Sequence, residues 1–384
     1  MRVLIAHSRY LSGATSGENR VVEDEARLLS EGGHEVHVWQ PVPRSGGASE
    51  LLGMGMGSVW SFRAAAAVQR AIRRARVAVV HFHNLFPKLS PAVIRAAAAE
   101  GVPVVVTLHN YRLLCLPATL LRDGRVCEDC VGRVPWPGVL HRCYRESALG
   151  SGALAASLSL HDRLRTFDRV TLFLAVGDFV RDKHIQGGVP ADRIRVKSNF
   201  AWPTPRRKGP GRYYLFLGRL SREKGVETIL DAWRNAPGEL LLVGDGPDGD
   251  RLRNLAPPRV RFIGAVPATD VAPLVREARA VVLPSVWYEA QPRVVLEAYA
   301  AGVPVLASRI GGLEDLITHG DTGLLVDPWN ASSWTEAVKL VSDDSESERL
   351  GAGAFARWTN LYAPGRALRS LEEAYADAIE RNAT

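Results

Sequence analysis

The stretch VVLPSVWYEAQPRVVLEAYAAGVPVLASRIGG, from Val281 to Gly312, constrains the fold more than any other part of the chain. Val281 to Leu283 is an apolar run closed by Pro284 and Ser285, the pattern of a parallel strand buried on both faces. Pro292 suits the first turn of a helix, where its missing N–H costs nothing and its fixed φ helps. Arg293 to Ala301 carries that helix, Gly302 stops it, and Val303 to Ala307 reads as the next strand. A helix that opens at the carboxyl end of a parallel strand binds anions, because free backbone N–H groups and the positive end of the dipole point outward. Glu289 just before the helix and Glu297 inside it place two carboxylates beside that anion site. The combination suits a ligand with phosphate at one end and hydroxyls at the other.

The rest of the chain repeats the alternation. Val3 to Ala6, His34 to Trp39, Val77 to Phe82, Val104 to Leu108 and Leu172 to Val176 read as strands of a first series, with a helix from about Arg20 to Glu31. Histidines close two of these strands: His81, His83 and His109. A second series runs through Tyr213 to Leu217, Leu240 to Val243, Arg259 to Ile263, Ala280 to Leu283 and Val303 to Ala307. Between them lies WPTPRRKGPGR, whose prolines, glycines and basic residues favour an extended, exposed linker. The expectation is α/β with two doubly wound, Rossmann-like domains. Residues 1–200 form the first, 201–212 the linker, 213–365 the second and 366–384 a C-terminal helix that could join either. Ligands of open α/β sheets bind beyond the carboxyl ends of the strands, so a cleft between the domains is the expected site.

At 384 residues, with 46% hydrophobic and 23% charged, the chain has the make-up of a globular protein with two cores. No apolar run reaches ~18 residues, so no transmembrane helix is expected. MRVLIAHSRY has a core-strand pattern rather than that of a signal peptide, and the expected location is cytoplasmic. The net charge of +7 is uneven: Arg63, Arg70, Arg73, Arg74 and Arg76 crowd Ser61 to Arg76 without an acid. That stretch is either a solvated helix face or a contact for anionic headgroups at the inner face of a membrane. No groove-reading motif or interleaved aromatic residue accompanies it, which argues against nucleic acid.

Three loops of the second series join the glutamates as candidates. GRLSREKG, Gly218 to Gly225, follows a strand and precedes a helix; its glycines let backbone approach a ligand, and Arg219 and Lys224 supply charge for a diphosphate. Gly244-Asp245-Gly246-Pro247 follows the next strand and Phe262-Ile263-Gly264 ends a third, suited to a base and ribose. No GxGxxG fingerprint is present, which argues against a dinucleotide cofactor.

With SGATSGENR, GGHEVHVW and TLHNYRLLC in the first half and GVPVLASRIGG in the second, these motifs resemble the retaining family 4 (group 1) glycosyltransferases of the GT-B fold. The resemblance covers nearly the whole chain. It implies transfer of a sugar from a nucleotide-sugar, UDP- or GDP-linked, to a glycan or lipid-linked acceptor in surface polysaccharide or glycoconjugate synthesis, with no cofactor required for catalysis. A small soluble acceptor or a silent nucleotide-sugar-binding partner are the alternatives. It further implies that Arg219 and Lys224 hold the diphosphate and stabilise the leaving group. Glu297 would bond the ribose and Glu289 would face the sugar. Backbone N–H groups near Gln291 and Arg293 would meet the phosphates, with Gly244, Asp245, Gly246 and Ile263 lining the nucleotide. His109 would reach the transferred sugar, Gly13 and Gly17 would lie under the donor, and Asn199 would stand just before the linker. Where many members carry Gly-Phe-Gly after the first glutamate, this chain has Ala290-Gln291-Pro292, which removes one N–H from the phosphate cradle.

All four cysteines, Cys115, Cys127, Cys130 and Cys143, fall in one insertion over residues 113–146. The C-x-x-C and its two flanking cysteines have the composition of a four-thiolate zinc site. A reducing compartment disfavours disulfides, which leaves structural zinc or thiols.

Overall fold

The structure is a computed structural model that describes residues 1–9, 17–41 and 57–383. Its strands are β1 Arg2–Ala6, β2 Glu35–Trp39, β3 Val79–Phe82, β4 Val104–Leu108, β5 Leu121–Arg122, β6 Arg125–Val126, β7 Leu172–Ala175 and β8 Ile194–Val196 in the first half of the chain. The second half adds β9 Tyr213–Leu217, β10 Leu240–Val243, β11 Val260–Gly264, β12 Ala278–Leu283, β13 Val305–Ser308 and β14 Gly323–Val326. Two compact units result: Met1–Leu120 with Glu128–Lys197 and Leu368–Thr384, and Leu121–Cys127 with Ser198–Ala367.

The first unit is built on a parallel sheet in the order β2-β1-β3-β4-β7-β8. β3 and β4 are buried along their whole length, as doubly covered parallel strands must be, while β2 at the edge is half exposed. The order runs outward in both directions from β1 and β3, so this is where the chain direction across the sheet reverses. The second unit has a parallel sheet in the order β11-β10-β9-β12-β13-β14, with its reversal between β9 and β12. Alternate side chains of its strands enter separate cores. Leu215, Leu241, Val243, Val281 and Val305 pack on one face, whereas Phe216, Leu242, Val282 and Leu306 pack on the other.

The expected α/β, Rossmann-like architecture is therefore present in both units, with helices on the sheets. β8 and β14 are additions to the expected strands, being short runs beside turn residues. The hairpin β5–β6 and the short helix Trp136–Leu140 structure the cysteine-bearing insertion. The basic stretch forms the helix Phe62–Ala75, capped by the Ser61 hydroxyl on the Ala64 N–H at 3.3 Å. Ala64, Val68 and Ile72 face inward while Arg63, Arg70, Arg73, Arg74 and Arg76 are exposed, Arg73 holding Glu100 through two bonds of 2.7 and 2.8 Å.

From Trp202 onward the linker keeps its expected exposure except at Arg207. It has no regular structure, yet Arg207 within it is buried. Its guanidinium donates to the carbonyls of Pro210 at 3.1 Å, Arg279 at 3.0 Å and Ser347; burial pushes it down to about 10, with Glu348 opposing, and it stays charged. At the entrance to the linker, Trp358 Nε1 donates to the Ala201 carbonyl at 3.1 Å. The final helix, Pro364–Ala383, begins in the second unit and from Leu368 onward belongs to the first.

Leu306 is fully buried in β13, and its replacement by alanine opens a cavity that parallel strands on either side cannot close. Leu306→Ala is expected to cost roughly 2–5 kcal/mol, measurable as a lower midpoint in urea unfolding.

Candidate functional site

In open α/β sheets the crevice beyond the carboxyl ends of the strands, where strand order reverses, is where ligands bind. In the second unit that place lies after β9 and β12, and the loops there carry the residues singled out in the sequence. After β9 comes Gly218-Arg219, then a turn of helix at Arg222–Lys224. After β12 come Pro284, Ser285 and Glu289, then the helix Arg293–Ala300 with Pro292 at its start and Gly302 at φ +69° beyond its end.

Lys224 and Glu289 meet there. The ammonium lies 2.6 Å from Glu289 Oε1, and the Ser285 hydroxyl donates to the same oxygen at 2.6 Å. The carboxylate is 6% exposed and the ammonium 22%. Lys224 also stands 5.1 Å from the centre of the Trp287 ring, a cation–π contact on its other side. The pair is framed by backbone: Val286 N–H donates to the Glu223 carbonyl at 3.0 Å, and Gly312 N–H to the Glu289 carbonyl at 2.9 Å. A Cβ on Gly225, in the left-handed region at φ +64°, would strike the Pro284 carbonyl, and one on Gly312 would strike that of Ala290. Glycine is needed because two loops touch through their main chains.

The neighbouring loops are joined the same way. Gly244 (φ +133°) lies against the Gly218 carbonyl and Gly246 against that of Leu220. Leu220 N–H donates to the Asp245 carbonyl at 3.0 Å, and Gly244 N–H to the Gly264 carbonyl at 2.8 Å. Asp245 is exposed and its carboxylate accepts from the Ala265 N–H at 3.3 Å. Ile263 is 40% exposed on β11. Arg219 is exposed and makes no ion pair with a described residue. Glu297, one helical turn beyond Arg293, accepts from its guanidinium at 3.3 Å. Gln291 turns its amide oxygen to the Asn199 N–H at 2.6 Å, so its side chain fastens the chain ahead of the linker. Its own N–H makes no hydrogen bond to another described residue.

The first unit carries a second polar group at its own reversal, after β1 and β3. His7 and His83 follow these strands with ring centres 6.4 Å apart, and His83 Nδ1 lies 2.8 Å from His109 Nε2 after β4. His81 bonds Tyr375 OH at 2.8 Å and Thr107 Oγ1 at 2.7 Å. Burial drives His81 down to about 3 and, with neighbouring positive charge, holds His83 and His109 well below the usual histidine range. His109 borders a cavity whose wall includes Glu18, Asn110 and Arg112. Gly17 is exposed at the start of the helix Gly17–Glu31, and Gly13 lies outside the described residues.

Two charged members of this group escaped the sequence reading: Glu25 and Lys197, 0% and 1% exposed and ion-paired. Glu25 sits among Val21, Val22, Leu28 and Leu29 on the buried face of its helix, and Lys197 follows the apolar residues of β8. A carboxylate on an apolar helical face was the available signal.

The cysteines do not assemble as their composition suggests. All four are thiols, and among the described residues the one set of three potential ligands within 4.8 Å of one another is Glu25, His81 and His83. Cys115, Cys130 and Cys143, all in the first unit, do not form such a set. Burial pushes the Cys115 thiol up. These three thiols are thus not gathered into a common cluster in the first unit.

The sequence matches "Glycosyltransferase Family 4" over residues 15–201 and "Glycosyl transferases group 1" over residues 211–344. The D-inositol 3-phosphate glycosyltransferase of Pseudarthrobacter chlorophenolicus is 34% identical over 339 residues, covering 82% of this chain and 74% of that protein. The glycogen synthase of Mycobacterium tuberculosis is 35% identical over 271 residues, 66% of this chain and 63% of that protein. The chain spans only 40% of another relative, the D-inositol 3-phosphate glycosyltransferase of Corynebacterium kroppenstedtii. Among solved structures, Anabaena HepE in complex with UDP has a TM-score of 0.68 at 18% identity, over 98% of this chain and 100% of that one. The likeness establishes the GT-B fold. No helix of the described residues is long and apolar enough to cross a membrane.

Two measurements follow from this geometry. Zinc in protein purified without chelator is expected to stay below about a tenth of an equivalent per chain, since the thiols are not gathered. Histidines held neutral in the fold charge on unfolding, so their stabilisation is complete above pH ~6.5. It is lost as pH falls from there toward their folded values, by up to about 1.4 kcal/mol per pH unit for each. Denaturation midpoints measured from pH 7.5 to 5 should fall accordingly, and less so in His81→Asn.

Proposed function

The chain belongs to the family 4 (group 1) glycosyltransferases, and we propose that it moves a sugar from a nucleoside diphosphate sugar to a hydroxyl acceptor with retention at the anomeric carbon. The Lys224–Glu289 pair at the reversal of the second sheet carries the proposal. A lysine fixed by a buried carboxylate offers its remaining N–H donors to a phosphate without having to be ordered on binding. Arg219, exposed on the same loop, adds a second charge for the diphosphate and for the negative charge that grows as the nucleotide departs. The N–H of Gln291 and the start of the helix Arg293–Ala300 form the rest of the phosphate cradle. Glu297 takes the ribose hydroxyls, and Gly244, Asp245, Gly246 and Ile263 line the nucleoside.

Glu289 Oε1 accepts from both Lys224 and Ser285. Two donors on one oxygen fix the direction of the carboxylate, so its part is to orient the sugar. The acceptor hydroxyl then attacks on the face that the nucleotide leaves, and the departing phosphate takes its proton. His109 contacts the transferred sugar. UDP is the favoured nucleotide, since HepE of similar fold binds it.

For the acceptor, a glycan or lipid-linked saccharide on the inner face of a membrane is the first reading, supported by the exposed arginines of the helix Phe62–Ala75. A small phosphorylated polyol is the second, favoured by relatives named for D-inositol 3-phosphate. Product analysis with each acceptor class separates them.

Lys224→Ala and Glu289→Gln are each expected to lower kcat/KM by about 10²–10³-fold; unchanged turnover in both would remove the site assignment. A UDP-sugar should also raise the melting temperature, by an amount equivalent to ~2.7 kcal/mol at a hundred times its Kd.

A further inference from the structure

We propose that Lys197, Glu25 and His83 are positioning residues that hold His109 as the neutral Nε2–H tautomer, leaving Nδ1 as a hydrogen-bond acceptor for a ligand hydroxyl. The tautomer follows from the first unit alone; the hydroxyl rests on the sugar-transfer reading.

The chain of contacts begins with charge. Glu25 and Lys197 are wholly buried and pair through Glu25 Oε1, so the two charges neutralise each other. Glu25 Oε2 is also buried and has no hydrogen-bond partner; neither does His83 Nε2, which faces it at 3.6 Å. A carboxylate oxygen at that distance attracts an N–H and repels a bare ring lone pair. His83 therefore carries its proton on Nε2, and its Nδ1 is left as an acceptor. The atom 2.8 Å from that Nδ1 is His109 Nε2, which must donate. His109 is kept neutral by burial first and by Lys197 next, so its own Nδ1 carries no proton. His81 does not compete for Glu25, because its two nitrogens are taken by Tyr375 and Thr107. His7 is bonded to Asn19 at 2.8 Å.

The result is a fixed direction. Glu25 takes the Lys197 ammonium on one oxygen and faces the His83 N–H with the other, His83 accepts from His109, and the direction so fixed emerges at a ring that borders a cavity. A ligand hydroxyl there would donate to Nδ1 and could not accept from it.

Long-range ¹H–¹⁵N spectra of the full chain labelled at histidine test the proposal, with His109 assigned by its loss in His109→Gln. At pH 7.5, His109 is expected to show a protonated Nε2 and an unprotonated Nδ1. An Nδ1–H tautomer or an imidazolium would overturn the proposal, and this reading needs no folding of a variant at Glu25. In Glu25→Gln, the amide oxygen stays on the Lys197 ammonium and the NH₂ group faces His83 Nε2. The direction then reverses, His109 switches to Nδ1–H, and kcat/KM for sugar transfer should fall about 10-fold or more, the size of one lost hydrogen bond. A switched tautomer with transfer unchanged would overturn the hydroxyl contact while leaving the Lys224–Glu289 site standing.

Discussion

A parallel strand covered on both faces must be apolar along its length, so the polar chemistry of such a sheet is forced to its ends. Both units obey that constraint. In the second, Tyr213–Leu217 and Ala278–Leu283 alternate between two cores, and the first charged groups beyond them are those of the Arg219–Lys224 and Glu289 loops. In the first, the strands end in His7, His83, His109 and Lys197. Two exceptions in the first unit are informative: His81 and Thr107 lie inside strands, and they satisfy each other, with Tyr375 completing the set.

The loops gain their geometry from what they lack. Gly225, Gly244, Gly246 and Gly312 let carbonyls of neighbouring loops pass where a Cβ would sit. The side chains of Lys224 and Glu289 are thereby set by main-chain packing rather than by flexible stems. A half-buried ion pair of this kind adds little net stability, since desolvation offsets its attraction. Its worth lies in orientation.

Much of this was legible in the sequence because it is local. β4, β9 and β10 have the limits that their apolar runs predict, and Pro292 and Gly302 bracket a helix as their backbone preferences require. Lys224 and Glu289 could be assigned to one site from sequence, since each follows a strand that is recognisable by itself, but their ion pair is seen only in the structure. What stayed hidden depends on distant partners. Arg207 is read as an exposed linker residue until Arg279 and Ser347 supply its carbonyls. Glu25 and Lys197 are far apart in the chain, and only the fold turns two costly burials into one pair. The cysteines, near one another in sequence, form no set of three ligands within 4.8 Å among the described residues.

The helix Pro364–Ala383 has a consequence for how the molecule comes into being. It returns Leu371, Ala374, Tyr375 and Ala378 to the first unit, all buried. A ribosome makes residues 1–197 early, but the hydroxyl that satisfies His81 arrives only after the whole second unit has been synthesised. The second unit, whose sheet is contiguous in sequence, can complete its core first. The first unit therefore cannot complete its core until the last residues of the chain are made. Until Tyr375 emerges, one nitrogen of a buried histidine waits without its partner.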